Sequence, residues 1–181
     1  MLRFKLLIVL IYMLSFVSIP TQIKADAELK FVAQSAGAGT TVIFIHGFRS
    51  SSDDSWKHRF AIDSVPQLVE NDANLVGLNV AKVDYDSYFI DGPSIDEIAK
   101  DIATEIYVEV VKDNDQQRLI FVAHSLGGIL SREVVLYNSE IKDRTLGIVT
   151  YATPMGGSRI ADFGSYFRIS GPVVRCSGLR S

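Results

Sequence analysis

The residues best suited to chemistry lie in Leu119-Ile-Phe-Val-Ala-His-Ser-Leu-Gly-Gly128, where an apolar run stops at a serine and a helical pattern begins. A serine on so sharp a strand-to-helix turn takes a strained backbone conformation, tolerated only where the residues two before and two after it are small. Here they are Ala123 and Gly127. The pattern departs from G-x-S-x-G by the one methyl of Ala123. Gly128 lets the next helix, carrying Ile129, Leu130, Val134 and Val135, lie close against the strands. The positive N-terminus of that helix then faces charge developing beside Ser125. The turn presents the Ser125 hydroxyl as a nucleophile. A serine that merely capped a helix would not require small residues on both sides. The neighbouring His124 should point away from the hydroxyl, because consecutive residues at such a turn face different directions, and it reads as a packing residue.

A nucleophile of this kind needs an oxyanion hole, and its second half should follow an earlier strand. His46-Gly47-Phe48 does so. Attack on an ester carbonyl places negative charge on its oxygen, and one fixed backbone N–H stabilises that charge by about 3 kcal/mol. The expected donors are the amides of Leu126 and Phe48. Gly47 lets the chain turn close to the substrate, while His46 is expected to brace the loop by hydrogen bonding rather than to act as a base.

Elements that hold these turns are legible as short, β-branched apolar runs: Thr41–Ile45, Val80–Asp84, Leu119–Ala123 and Leu146–Tyr151. They read as parallel strands buried on both faces. Between the second and third, Ser94 and Glu97 form a capping box, and Ile95, Ile98, Ile102, Ile106 and Val110 recur at helical spacing up to Val111. The gap from Ser50 to Ala73 holds another helix, around Trp56 or Val65. Strand spacings of roughly 30 to 40 residues allow right-handed crossovers through helices, giving an open sheet with helices on both faces.

Composition narrows the function from the other side. The chain has 181 residues, 48% hydrophobic and 22% charged, with 18 basic and 21 acidic residues, a net charge of −3 and a pI near 5.6. No basic block is long enough to track a phosphate backbone, so nucleic acid is not an expected partner. Three histidines and one cysteine, Cys176, make neither a metal cluster nor an internal disulfide, and no cofactor is expected. Arg3 and Lys5 precede an uncharged run from Leu6 to Val17, shorter than the roughly 18 residues that span a bilayer. With Ala25-Asp26-Ala27 behind it, residues 1–27 read as a signal peptide and 28–181 as the mature domain. A cut after Ala25 is the near alternative. Removing 1–27 takes three basic residues and one acidic residue, leaving −5. Secretion or another form of export is expected, the alternative being a membrane anchor made by an uncleaved signal.

Four segments together resemble the α/β-hydrolase superfamily, and within it the lipase-like serine esterases that include the glycosylphosphatidylinositol inositol-deacylases. They are Ile43-Phe-Ile-His-Gly-Phe48, Asp54-Ser-Trp56, Val122-Ala-His-Ser-Leu-Gly-Gly128 and Tyr151-Ala-Thr-Pro-Met-Gly-Gly-Ser158. The likeness runs from about Thr40 to Pro172. It implies an α/β-hydrolase fold and a serine hydrolase that cleaves carboxylic esters, lipid esters above all, through an acyl-enzyme. It also implies an ester or lipid substrate and is compatible with association with a membrane surface; oligomeric state is not specified.

The resemblance implies further that a carboxylate and then a histidine should follow the nucleophile on later loops. No histidine follows Ser125: the three are His46, His58 and His124. Asp143 and Asp162 come after it, but neither directly follows a further strand. The tail Gly171–Ser181 has no strand or helix character, so the chain reads as the N-terminal portion of the fold, with Cys176 either an exposed thiol or a partner to sequence beyond. Two functions stay open. One is an exported serine esterase whose base is encoded further on; the other is a non-catalytic hydrolase-like protein that binds a lipid or a protein.

Overall fold

The computed structural model describes residues 26–48, 50–87 and 92–154. The apolar leader run, residues 49 and 88–91, the 155–158 end of the fourth segment, Asp162, Cys176 and the tail lie outside the described residues. Five strands form one sheet: β1 (Ala27–Ala33), β2 (Thr40–Ile45), β3 (Asn79–Tyr85), β4 (Arg118–His124) and β5 (Thr145–Tyr151), in the order β1-β3-β2-β4-β5. β2, β3, β4 and β5 run parallel, as their apolar composition implies. β1 is antiparallel to β3 and was not expected. Its alternation of Glu28 and Lys30 with Leu29 and Phe31 is a strand signal that the preceding signal-like run obscures.

Helices cover both faces. α1 (Val65–Asn71) lies beside Trp56 on one face, where Val69 packs on Val42, Phe44 and Val80. On the other face α2 (Ile95–Ile106) and α3 (Leu126–Tyr137) bury Ile98, Ile102, Ile106, Leu130 and Val134 against Ile43, Ile45, Phe121 and Ala123. α4 (Ser139–Arg144) follows α3, and its Ile141 completes this cluster. The capping box at α2 forms as read: the Glu97 N–H donates to Ser94 Oγ at 3.2 Å and the Ser94 N–H to Glu97 Oε2 at 2.8 Å. Those bonds hold the Glu97 carboxyl below its ordinary acidity range. The α-helix ends at Ile106 rather than Val111, and Tyr107–Val111 forms one wider turn closed by Lys112 N–H to Tyr107 O at 2.8 Å. That extra width turns the consecutive Val110 and Val111 both inward.

One strand departs from the expected burial. Among the described residues β5 is an edge, and Leu146 (63%), Val149 (47%) and Tyr151 (56%) are exposed on it. Only its face toward α3 is shielded, with Ile148 packed on the main cluster.

Candidate active site

Parallel strands deliver their C-terminal ends to one edge of the sheet, and that is where the turns after β2 and β4 meet. Ser125 sits between β4 and α3 with φ 51° and ψ −119°, a left-handed conformation that a non-glycine residue keeps only under constraint. The constraint is steric. A Cβ on Gly127 would stand 2.4 Å from the Ile45 carbonyl oxygen and 2.5 Å from that of His46, so only glycine lets α3 approach β2. Ala123 is fully buried, which leaves room for its methyl but for little more. At Gly128 a Cβ would meet the Thr153 side chain, in the turn after β5, at 2.2 Å. Ser125 makes no side-chain cap bond to α3, so its hydroxyl is not occupied in capping.

Gly47 brings the other turn against Ser125. Its Cβ position would lie 3.1 Å from both Ser125 Cβ and His124 Nδ1. His46 is fully buried and braced as expected, with Nδ1 donating to the Gly47 carbonyl at 2.8 Å and Nε2 accepting from the Tyr85 N–H at 3.4 Å. Burial lowers the His46 pKa, against a smaller opposing pull from the Gly47 bond and the Asp84 charge. A neutral brace fits this position better than a base. Phe48 is half-buried and packs on the main cluster, and Leu126, at the first position of α3, is buried.

The remaining sequence candidates separate. His124 turns toward Trp56, the rings edge-on at 6.4 Å, and its Nδ1 is buried without a hydrogen-bond partner among the described residues. His58 is exposed in an outer turn, its ring 5.5 Å from that of Phe60. Asp143 is exposed on α4. Among the described residues no group of three or more possible ligands could hold a metal, and no helix is long and apolar enough to cross a membrane.

Three features escaped the sequence reading. Trp56, read in the sequence as part of a motif and as one of two places for a helix that forms at Val65 instead, closes the second face of the sheet, edge-on to Phe44 at 5.0 Å. Asp84 accepts the Ser52 N–H at 2.8 Å and pairs with Lys30 at 3.0 Å, tying the segment after the His-Gly turn to β3. Burial works to raise the Asp84 pKa, but these bonds together bring it below the ordinary value. Ala152 has φ 50°, directly after the residue paired with His124, so two constrained non-glycine residues stand side by side at the ends of β4 and β5. The Ser125 N–H donates to the Tyr151 carbonyl at 2.9 Å between them. No residue type at 152 signals this conformation.

Among solved structures the chain is similar to a lipase-esterase related protein from Clostridium acetobutylicum (15% identity, TM-score 0.48), covering 70% of this chain and 46% of that one. It is also similar to mouse alpha/beta hydrolase domain-containing protein 10 (16% identity, TM-score 0.49; 80% and 51% covered). Phospholipase PlaB from Legionella pneumophila matches at 24% identity and TM-score 0.48, with 69% and 27% covered. The chain thus spans about half the length of the first two. No curated protein matches it. The family described as "Putative serine esterase (DUF676)" matches residues 38–162, a stretch that takes in the His46-Gly47-Phe48 turn, the Ser125 elbow and the four parallel strands between which they sit. With more than half of its length so matched, the chain belongs to that family.

Proposed function

We propose that the protein is a serine hydrolase of carboxylic esters, with Ser125 as nucleophile and the amides of Phe48 and Leu126 as the oxyanion hole. The observation that carries this reading is the constrained, uncapped Ser125 at the head of α3 with Gly47 packed against it. In the reaction the Ser125 oxygen bonds to the ester carbonyl carbon while its proton passes to a base. The carbonyl electron pair moves to oxygen, in front of the two amides, and returns as the alcohol leaves with a proton. Water then attacks the acyl-enzyme and frees the acid. Of the histidines, His46 is occupied, His124 has its Nδ1 buried and its ring edge-on to Trp56, and His58 is exposed in an outer turn, which supports a base supplied from outside the described residues.

Lipid esters are the substrate class the family resemblance favours, and a membrane surface is where such substrates reside. Hydrolysis of p-nitrophenyl butyrate by the protein, abolished in Ser125→Ala, supports the reading. Turnover that survives Ser125→Ala contradicts it, and a folded protein without turnover supports the binding-only alternative.

Residues 1–27 are proposed to direct export. β1 starts at Ala27, which pairs with Tyr85, so a cut after Ala25 leaves the strand whole and a cut after Ala27 removes its first residue. N-terminal sequencing of the exported protein should give Asp26 or Glu28; an intact Met1 would support an anchor.

A further inference from the structure

We infer that Tyr85 is a positioning residue for the oxyanion hole, fixing the His46-Gly47 turn at its distance from the elbow; the inference rests on the reading of Ser125, Phe48 and Leu126 given above. Tyr85 ends β3, 39 positions from His46 in sequence, and grips that residue three ways. Its ring stacks on the imidazole at 4.1 Å and 8°. Its hydroxyl donates to the His46 carbonyl oxygen at 2.6 Å. Its backbone N–H donates to His46 Nε2 at 3.4 Å.

The third contact sets the tautomer. A backbone N–H can only donate, so Nε2 carries the lone pair and Nδ1 the hydrogen, which goes to the Gly47 carbonyl at 2.8 Å. The turn is thereby held at two successive peptide units, the His46 carbonyl by the Tyr85 hydroxyl and the Gly47 carbonyl by the His46 ring that Tyr85 orients.

The His46 carbonyl is the pivot. On one side it receives the Tyr85 hydroxyl; on the other it faces α3 so closely that a Cβ on Gly127 would stand 2.5 Å away. Moving that oxygen would move the peptide leading into Gly47 and Phe48 relative to Leu126 at the head of α3. The separation of the two proposed donors is thus set by a hydroxyl that touches neither of them. Burial pushes the Tyr85 pKa far above its ordinary value, so the hydroxyl stays a donor at any working pH.

Tyr85→Phe keeps the ring and removes the bond, which separates positioning from filling space. With p-nitrophenyl butyrate as substrate, kcat should fall at least tenfold while KM stays within about threefold, because the loss is felt where charge develops on oxygen. In the same variant, amide exchange at Gly47 and Phe48 should accelerate about tenfold or more while the β4 amides stay protected. An unchanged kcat, or unchanged exchange at Gly47 and Phe48, overturns the inference.

Failure of the functional reading looks different: wild type and Ser125→Ala would both lack turnover, yet the exchange comparison still decides whether Tyr85 holds the turn. A measurement on the unaltered protein guards against a variant that does not fold. Nitrogen-15 shifts of His46 should show a protonated Nδ1 and an unprotonated Nε2, and the reverse pattern overturns the grip.

Discussion

The two turns that meet at the C-terminal edge of the parallel strands are held by different physics. The elbow after β4 is fixed by absence of volume: Gly127 against the backbone of β2, Gly128 against Thr153, and a serine pressed into a conformation it would not choose. The His-Gly turn after β2 is fixed by polar contacts in a buried place, from Tyr85 and, further along, from Asp84 to Ser52. A steric device tolerates almost no substitution but is indifferent to pH. A polar device survives changes of shape and depends on protonation.

That contrast can be broken most forcefully at Gly127. In Gly127→Ala the new methyl meets backbone carbonyls at 2.4 and 2.5 Å, and the central strand cannot yield. A loss of about 3 kcal/mol, the upper end for overpacking, or failure to fold is expected in denaturant unfolding. Gly128→Ala meets a side chain instead, so about 1 to 2 kcal/mol is expected. Adding Thr153→Ala should return part of the Gly128→Ala loss and none of the Gly127→Ala loss. Equal behaviour of the two glycines would show that the elbow is not held by the close approaches described here.

The polar turn should respond to acid first. The His46 pKa is lowered from 6.5 in the folded protein, so the unfolded chain binds a proton that the folded chain does not. Its contribution is complete above 6.5 and is lost as pH falls toward the folded-state value. Asp84, whose pKa is lowered from 3.8, adds a second loss only at lower pH. Protection from exchange at Gly47 and Phe48, taken relative to the intrinsic rate at each pH, should therefore fall below pH 6.5 before that of Leu126 to Gly128. Simultaneous loosening of both turns would remove the distinction.

The same contrast explains how much was legible in the sequence. Steric rules leave marks at fixed offsets: Ala123 and Gly127 flank Ser125 by two, and the apolar runs of β2 to β5 and the capping box at Ser94 stand where they were read. Polar devices join residues far apart. Nothing local marks Tyr85 as the partner of His46, and nothing at Ala152 signals a left-handed residue. That Gly128 faces Thr153 is equally unmarked, because the contact joins the head of α3 to the turn after the neighbouring strand β5. The π turn at Tyr107–Val111 was missed because the periodicity of Ile95 to Val110 fits an unbroken α-helix until Val111 also has to be buried.

The most direct test of the central claim is to treat the protein, purified from the cells that make it, with a fluorophosphonate and map the modified peptide by mass spectrometry. One label is expected, on Ser125, absent in Ser125→Ala. A label on another serine, or undiminished labelling of Ser125→Ala, would contradict the claim.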